Sequence, residues 1–206
     1  MPRPDRGFVA FAALFFVFHQ AWVVLSVPVV GITISVITPF AIVAATVALL
    51  RALEAQDRVL LLAIAAGTLY VYGRGAHVAA NSIQREINAP IVTFWDERFG
   101  HIVGVLGWVG LVATFCLAER AGLRFWEPSP AVLAVAGVLF GWTTFTATVE
   151  GQTWWLQLAA TAVFAGWALR TPRPLLLTAA GAFVLGALLI GAWAIWHGGV
   201  PQLSTV

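Results

Sequence analysis

The chain is organised around apolar runs long enough to cross a bilayer, each broken by charged residues or by Gly and Pro. A spanning helix needs about 20 mainly apolar residues. Seven runs fit: 8–27, 33–50, 59–80, 100–118, 130–149, 153–169 and 174–196. In lipid the backbone polar groups must be satisfied without water, and runs of this length do so as helices. The expected fold is therefore all-α: one domain, a polytopic membrane bundle of seven transmembrane helices. Only 10% of residues are charged, where a soluble domain carries about 25%. That excludes a soluble enzyme, and the scattered basic residues exclude nucleic acid as a partner. The first run follows Arg3 and Arg6 as a signal peptide would, but it is too long for a signal core and has no small-x-small cleavage site. The uncharged break Pro28-Val29-Val30-Gly31 predicts a tight hairpin between the first two spans.

All 11 basic residues are arginine. The absence of lysine excludes Schiff-base chemistry, and the single Cys116 excludes an internal disulfide. With the amino terminus inside, Arg3, Arg6, Arg51, Arg58, Arg120, Arg124, Arg170 and Arg173 face the cytoplasm, leaving Arg74, Arg85 and Arg98 outside. Arginine bias sets topology, so the carboxyl terminus is expected outside, in a bacterial-type plasma membrane. Trp95, Trp154, Trp155 and Trp196 suit an outer aromatic belt and Trp126 an inner one.

Polar residues inside such spans carry the functional signal. At about 1.5 Å per residue, His77 lies about 28 Å above Arg58 and His101 about 27 Å above Glu119. By the same count Glu150 lies about 31 Å above Ser129, and His197 about 34 Å above Pro174. Four spans thus deliver polar side chains to one layer at the outer end. His77 and Asn81 are four apart, as are Glu97 and His101, so each pair shares a helix face. Glu-x-x-x-His can aim a carboxylate and an imidazole at one cation. His77, His101, Glu97 and Glu150 are the candidate ligands of a divalent metal, with His197 beyond them. Zinc takes three or four such ligands, and histidine–carboxylate sets in helical bundles also hold di-iron.

Each residue also has a plainer reading. Thr93-Phe-Trp-Asp96 fits a capping box opening the fourth helix. Glu97 can pair with Arg74, Arg85 or Arg98 at the wet surface, and Asn81 can be interhelical hydrogen-bond glue. Glu150 can sit idle in an aqueous hairpin, and His197 can be an interface residue. His19 with Gln20, near mid-membrane, reads as interhelical glue or as part of a proton path. Gly100, Gly104, Gly107 and Gly110 predict close packing of the fourth span.

Seven spans with histidines and an aspartate near one face resemble the alkaline ceramidase and adiponectin-receptor superfamily of membrane hydrolases. The resemblance implies zinc held by histidines, with His77, Ser82 and Asp96 in the places of the early histidine, serine and aspartate. The chain departs from that pattern in order and content. Ser82 follows His77, and Trp193 stands where a closing His-x-x-x-His would need its first histidine before His197.

The expected function is a metal-dependent membrane enzyme, a hydrolase of a lipid or lipid-like amide or ester at the outer face. The metal would lower the pKa of bound water. Asp96 would serve as base and then acid, and Asn81 or Arg74 would stabilise the oxyanion. Two other classes stay open: a transporter or proton/ion pathway using the same residues as a relay, and a membrane assembly or metal-delivery protein.

Overall fold

The computed structural model describes residues 11–17, 28–84, 86–87, 89–122 and 129–206, with side chains in the second helix described from Thr33 onward. His19, Gln20, Arg3, Arg6, Arg85, Arg124 and Trp126 lie outside the described residues, as does most of the first expected span. Among the described residues there are helices and no strand. A helical stretch at 11–17 (α1) precedes α2 (Pro28–Ala52), α3 (Asp57–Gln84) and the short α4 (Pro90–Thr93). A π-helix, Phe94–Gly100, then leads directly into α5 (His101–Arg120). It is followed by α6 (Pro130–Glu150), α7 (Trp154–Arg170), α8 (Pro174–His197) and a closing 3-10 turn, Leu203–Thr205.

Among the described residues, five helical runs are long and apolar enough to cross a membrane: Thr33–Ala52, Asp57–Gln84, Pro90–Arg120, Pro130–Glu150 and Pro174–His197. Side chains such as Leu61, Val138, Leu188 and Ile195 are exposed on their outer faces, which are as apolar as the interior. A helix apolar all round belongs in a core or in lipid. α7, with 17 residues, is about 26 Å long and shorter than these five. Two expectations are corrected. Pro28–Gly31 is not a hairpin but the opening turn of α2, with Pro28 at a position that tolerates the missing N–H. The run expected at 100–118 begins ten residues earlier, at Pro90, and Phe94–Gly100 within it is a π-helix.

The tightest seam joins α3 to α5, antiparallel. Ala66 meets Gly110, Tyr70 meets Gly107, Gly73 meets Gly104 and His77 meets Gly100. The reason is local: residues three and four apart share a helix face, and α5 offers only hydrogen atoms along that face. Lipid gives helices no hydrophobic drive to associate, so close backbone approach and dispersion supply the cohesion. On the other side of α5, Trp108 stacks on Phe183 of α8 with ring centroids 5.8 Å apart. Phe15 of α1 packs edge-on to Trp108 at 5.9 Å and lies 5.2 Å from Phe140 of α6. This aromatic column is the middle of the core.

One end of the bundle is tied by a carboxylate. Glu119, 9% exposed, accepts the backbone N–H groups of Leu175 (2.9 Å) and Leu176 (3.2 Å). These are two of the orphan donors at the start of α8, so the end of α5 caps α8. The same end carries Arg51, Arg58, Arg120, Arg170 and Arg173 at helix termini. The candidate polar residues therefore gather at the opposite end.

Candidate functional site: a buried carboxylate–imidazole pair

The site begins with the π-helix. In an α-helix, Asp96 and His101, five residues apart, would point about 140° away from each other. A π-helix closes its hydrogen bonds between residues five apart, which brings such residues onto one face. The widened turn lets Asp96, Glu97 and His101 all face inward, where an α-helix would give only the Glu97–His101 pair. Glycine at position 100 then lets α3 come close: a Cβ there would stand 2.8 Å from the His77 backbone nitrogen and 2.9 Å from its Cβ.

The consequence is a short carboxylate–imidazole contact, His77 Nδ1 to Asp96 Oδ1 at 2.6 Å. Asp96 is 1% exposed and His77 19%. The carboxylate faces Nδ1, so Nε2 is the imidazole nitrogen turned away from it. The His101 ring lies 4.3 Å from that of His77, centroid to centroid, tilted by 54°. Behind His101, Gly151 is in contact range of the imidazole, and any side chain there would occupy the ring's place. Arg74, one turn before His77 and half-buried, lies within electrostatic range of Asp96 and of Tyr70. Asp96 is therefore not a capping residue: α4 starts at Pro90 after Ala89, with no side-chain cap, and Thr93 lies inside the helical run.

The two glutamates reach the same end but are held by the tail of the chain. Gly198, at φ +67°, ends α8 and turns the backbone back over the bundle. There Gln202 Nε2 donates to Glu97 Oε2 at 3.1 Å and to the Glu150 carbonyl at 2.8 Å. Ser204 occupies both carboxylate oxygens of Glu150, through its backbone N–H at 3.1 Å and its hydroxyl at 2.6 Å. Trp193 Nε1 donates to the Pro201 carbonyl at 3.0 Å, and Gln152 to that of Val200 at 3.0 Å. His197 stacks on Trp193, ring centroids 4.1 Å apart, at the foot of this strap. Asn81 and Ser82 lie further along α3 on its exposed side, and the Ser82 hydroxyl donates to the Val78 carbonyl of its own helix at 2.8 Å.

Among the described residues no three His, Cys, Asp or Glu side chains are grouped so as to hold a metal ion. Asp96 lies against His77, and Glu97 and Glu150 are hydrogen-bonded by Gln202 and Ser204. Gln202 and Ser204 went unnoticed in the sequence because nothing local marks them; their partners are more than 50 residues away. Gln157, fully buried in α7, could have been found, since a glutamine inside an apolar run is unusual in itself.

The fold and site together define a class: an all-helical bundle of membrane type with an acid–base pair buried at one end. Comparison with known proteins finds no matching family model, no matching curated protein and no matching solved structure.

Proposed function

We propose that the chain is a seven-span membrane enzyme of hydrolase type, with its amino terminus in the cytoplasm and its site in the outer part of the membrane. Its substrate is a lipid or lipid-like ester or amide. The observation that carries this reading is the Asp96–His77 pair, 1% and 19% exposed at 2.6 Å. A buried carboxylate with a single imidazole partner costs stability that a purely structural role recovers poorly. It does orient a base. Asp96 holds His77 with Nε2 outward, Nε2 takes a proton from water, and the water oxygen attacks the carbonyl carbon. His77, now charged and stabilised by Asp96, returns the proton to the leaving oxygen or nitrogen. Arg74 balances the carboxylate's charge in the interior, and His101 flanks the reacting position. The strap over Glu97 and Glu150 covers the aqueous side, so a substrate enters laterally from lipid. Arginine bias supports an outer position for this end: Arg51, Arg58, Arg120, Arg170 and Arg173 all lie at the other end.

The test uses purified protein in lipid nanodiscs with a fluorogenic fatty-acyl ester and a fatty-acyl amide. Asp96→Asn should retain the fold and lose about 10²–10⁴ in rate, the usual share of a general base. Metal content is measured on the same samples. Stoichiometric metal lost in His77→Ala would replace the dyad with a metal-centred mechanism, and an Asp96→Asn protein at full rate would remove the acid–base reading.

A further inference from the structure

α7 carries two buried oxygen atoms that no protein group satisfies. Gln157 is 0% exposed and Thr153 2%. Gln157 Nε2 donates to the Phe183 carbonyl of α8 at 3.0 Å, but its Oε1 has no hydrogen-bond partner. The Thr153 hydroxyl oxygen also has none. Exchanging the amide's two ends would not help, because it would set oxygen against the Phe183 carbonyl. Natural proteins rarely leave such groups dry, since a buried polar atom without a partner costs the whole of its lost hydration.

Thr153 immediately precedes α7 and its carbonyl accepts the Gln157 N–H at 3.4 Å, so the two residues adjoin at the first turn. Their surroundings are polar. Thr144 and Thr148 of α6 donate to carbonyls of their own helix at 3.0 and 2.6 Å, which leaves their oxygens able to accept. Gly186 of α8 lets both side chains pack against its backbone: a Cβ there would stand 2.5 Å from Thr144 Oγ1 and would also strike the Gln157 amide. The place is filled out by donors already engaged and by acceptors in want of a donor. It is also close to the site in the chain: Gly151, against His101, is two residues before Thr153.

We infer that α6, α7 and α8 hold an ordered internal water on Thr153 and Gln157, behind His101. Gln157 Oε1 calls for a donor, and the Thr153 hydroxyl can donate or accept; one water serves both. One water bonded to each at about 2.8 Å bridges the spacing of residues four apart. Its use as a store of reacting water rests on the hydrolase reading; its presence does not.

Equally buried threonines serve as dry standards. Thr46 is 0% exposed and Thr114 2%, and each donates to its own helix, to Ile42 and Leu111. In water-edited solid-state NMR of the full chain in lipid, Thr153 and Gln157 should receive magnetisation from water early, while Thr46 and Thr114 stay dark. Gln157→Leu should darken Thr153 towards the level of Thr46. If Thr153 is as dark as Thr46 in the wild-type protein, the inference is overturned, whether or not the variant folds. Asp96→Asn should leave the Thr153 signal unchanged, so loss of the enzyme reading and loss of the water site are told apart.

Discussion

The α3–α5 seam yields a sharp prediction, because neighbouring glycines of one helix face different surroundings. A Cβ added at Gly107 would stand 2.5 Å from the Tyr70 Cα and 2.7 Å from its Cβ, in a place where ordinary contact begins at 3.4 Å. The obstacle is backbone on a fully buried tyrosine, so no side-chain rotation relieves it. The helices must part by about 1 Å, and a gap of that size forfeits a quarter to a half of each dispersion contact across it. Overpacking of this kind costs about 1–3 kcal/mol. A Cβ at Gly104, one turn away, would meet nothing nearer than Arg74 Cδ at 3.8 Å. Gly104→Ala should therefore be neutral or gain up to about 1 kcal/mol from helix propensity. The two variants add the same methyl group to the same helix, so the propensity gain cancels and they should differ by about 1–3 kcal/mol. Unfolding free energies in bicelles, measured by steric trapping, read the difference directly. Equal stabilities, or Gly104→Ala the weaker protein, would refute the seam as described.

Two further outcomes follow from the ends of the bundle. Glu119→Ala leaves the N–H groups of Leu175 and Leu176 without an acceptor at a buried helix start, and should cost about 1–3 kcal/mol. Glu119→Gln, keeping one acceptor, should lose less, and the same unfolding assay ranks the three proteins. At the other end, Ser204→Ala combined with Glu150→Gln removes the tail's grip on the glutamate, so amide hydrogen exchange at 202–205 should accelerate while α6 and α8 stay protected. An unchanged rate there would mean that Trp193–Pro201 and Gln152–Val200 hold the strap unaided.

What was legible in the sequence follows from local physics. Helix positions in lipid are set by the length of an apolar run, which is why α3, α6, α7 and α8 begin and end within a few residues of expectation. Counting rise per residue also placed His77, His101, Glu150 and His197 at one end, and the structure gathers their helices there. The glycine spacing of α5 announced a close neighbour, though not that it would be α3. The i, i+4 argument, by contrast, assumed an α-helix through Phe94–Gly100. The π-helix changed the angular count and brought in Asp96, which a capping motif had seemed to explain. The choice between those two hydrogen-bond patterns lies in tertiary packing, since it is the approach of α3 onto Gly100 that gives Asp96 a partner. The same holds for the strap, for Glu119 at α8 and for the buried oxygens of α7. Each joins residues that no periodicity relates, and each exists because a helix packed elsewhere in the bundle presents an N–H, a carboxylate or a gap at the right height. Apolar length and spacing decided which segments cross and which residues share a level, because those depend on one helix at a time. Which polar atom meets which was decided only when the helices closed on one another.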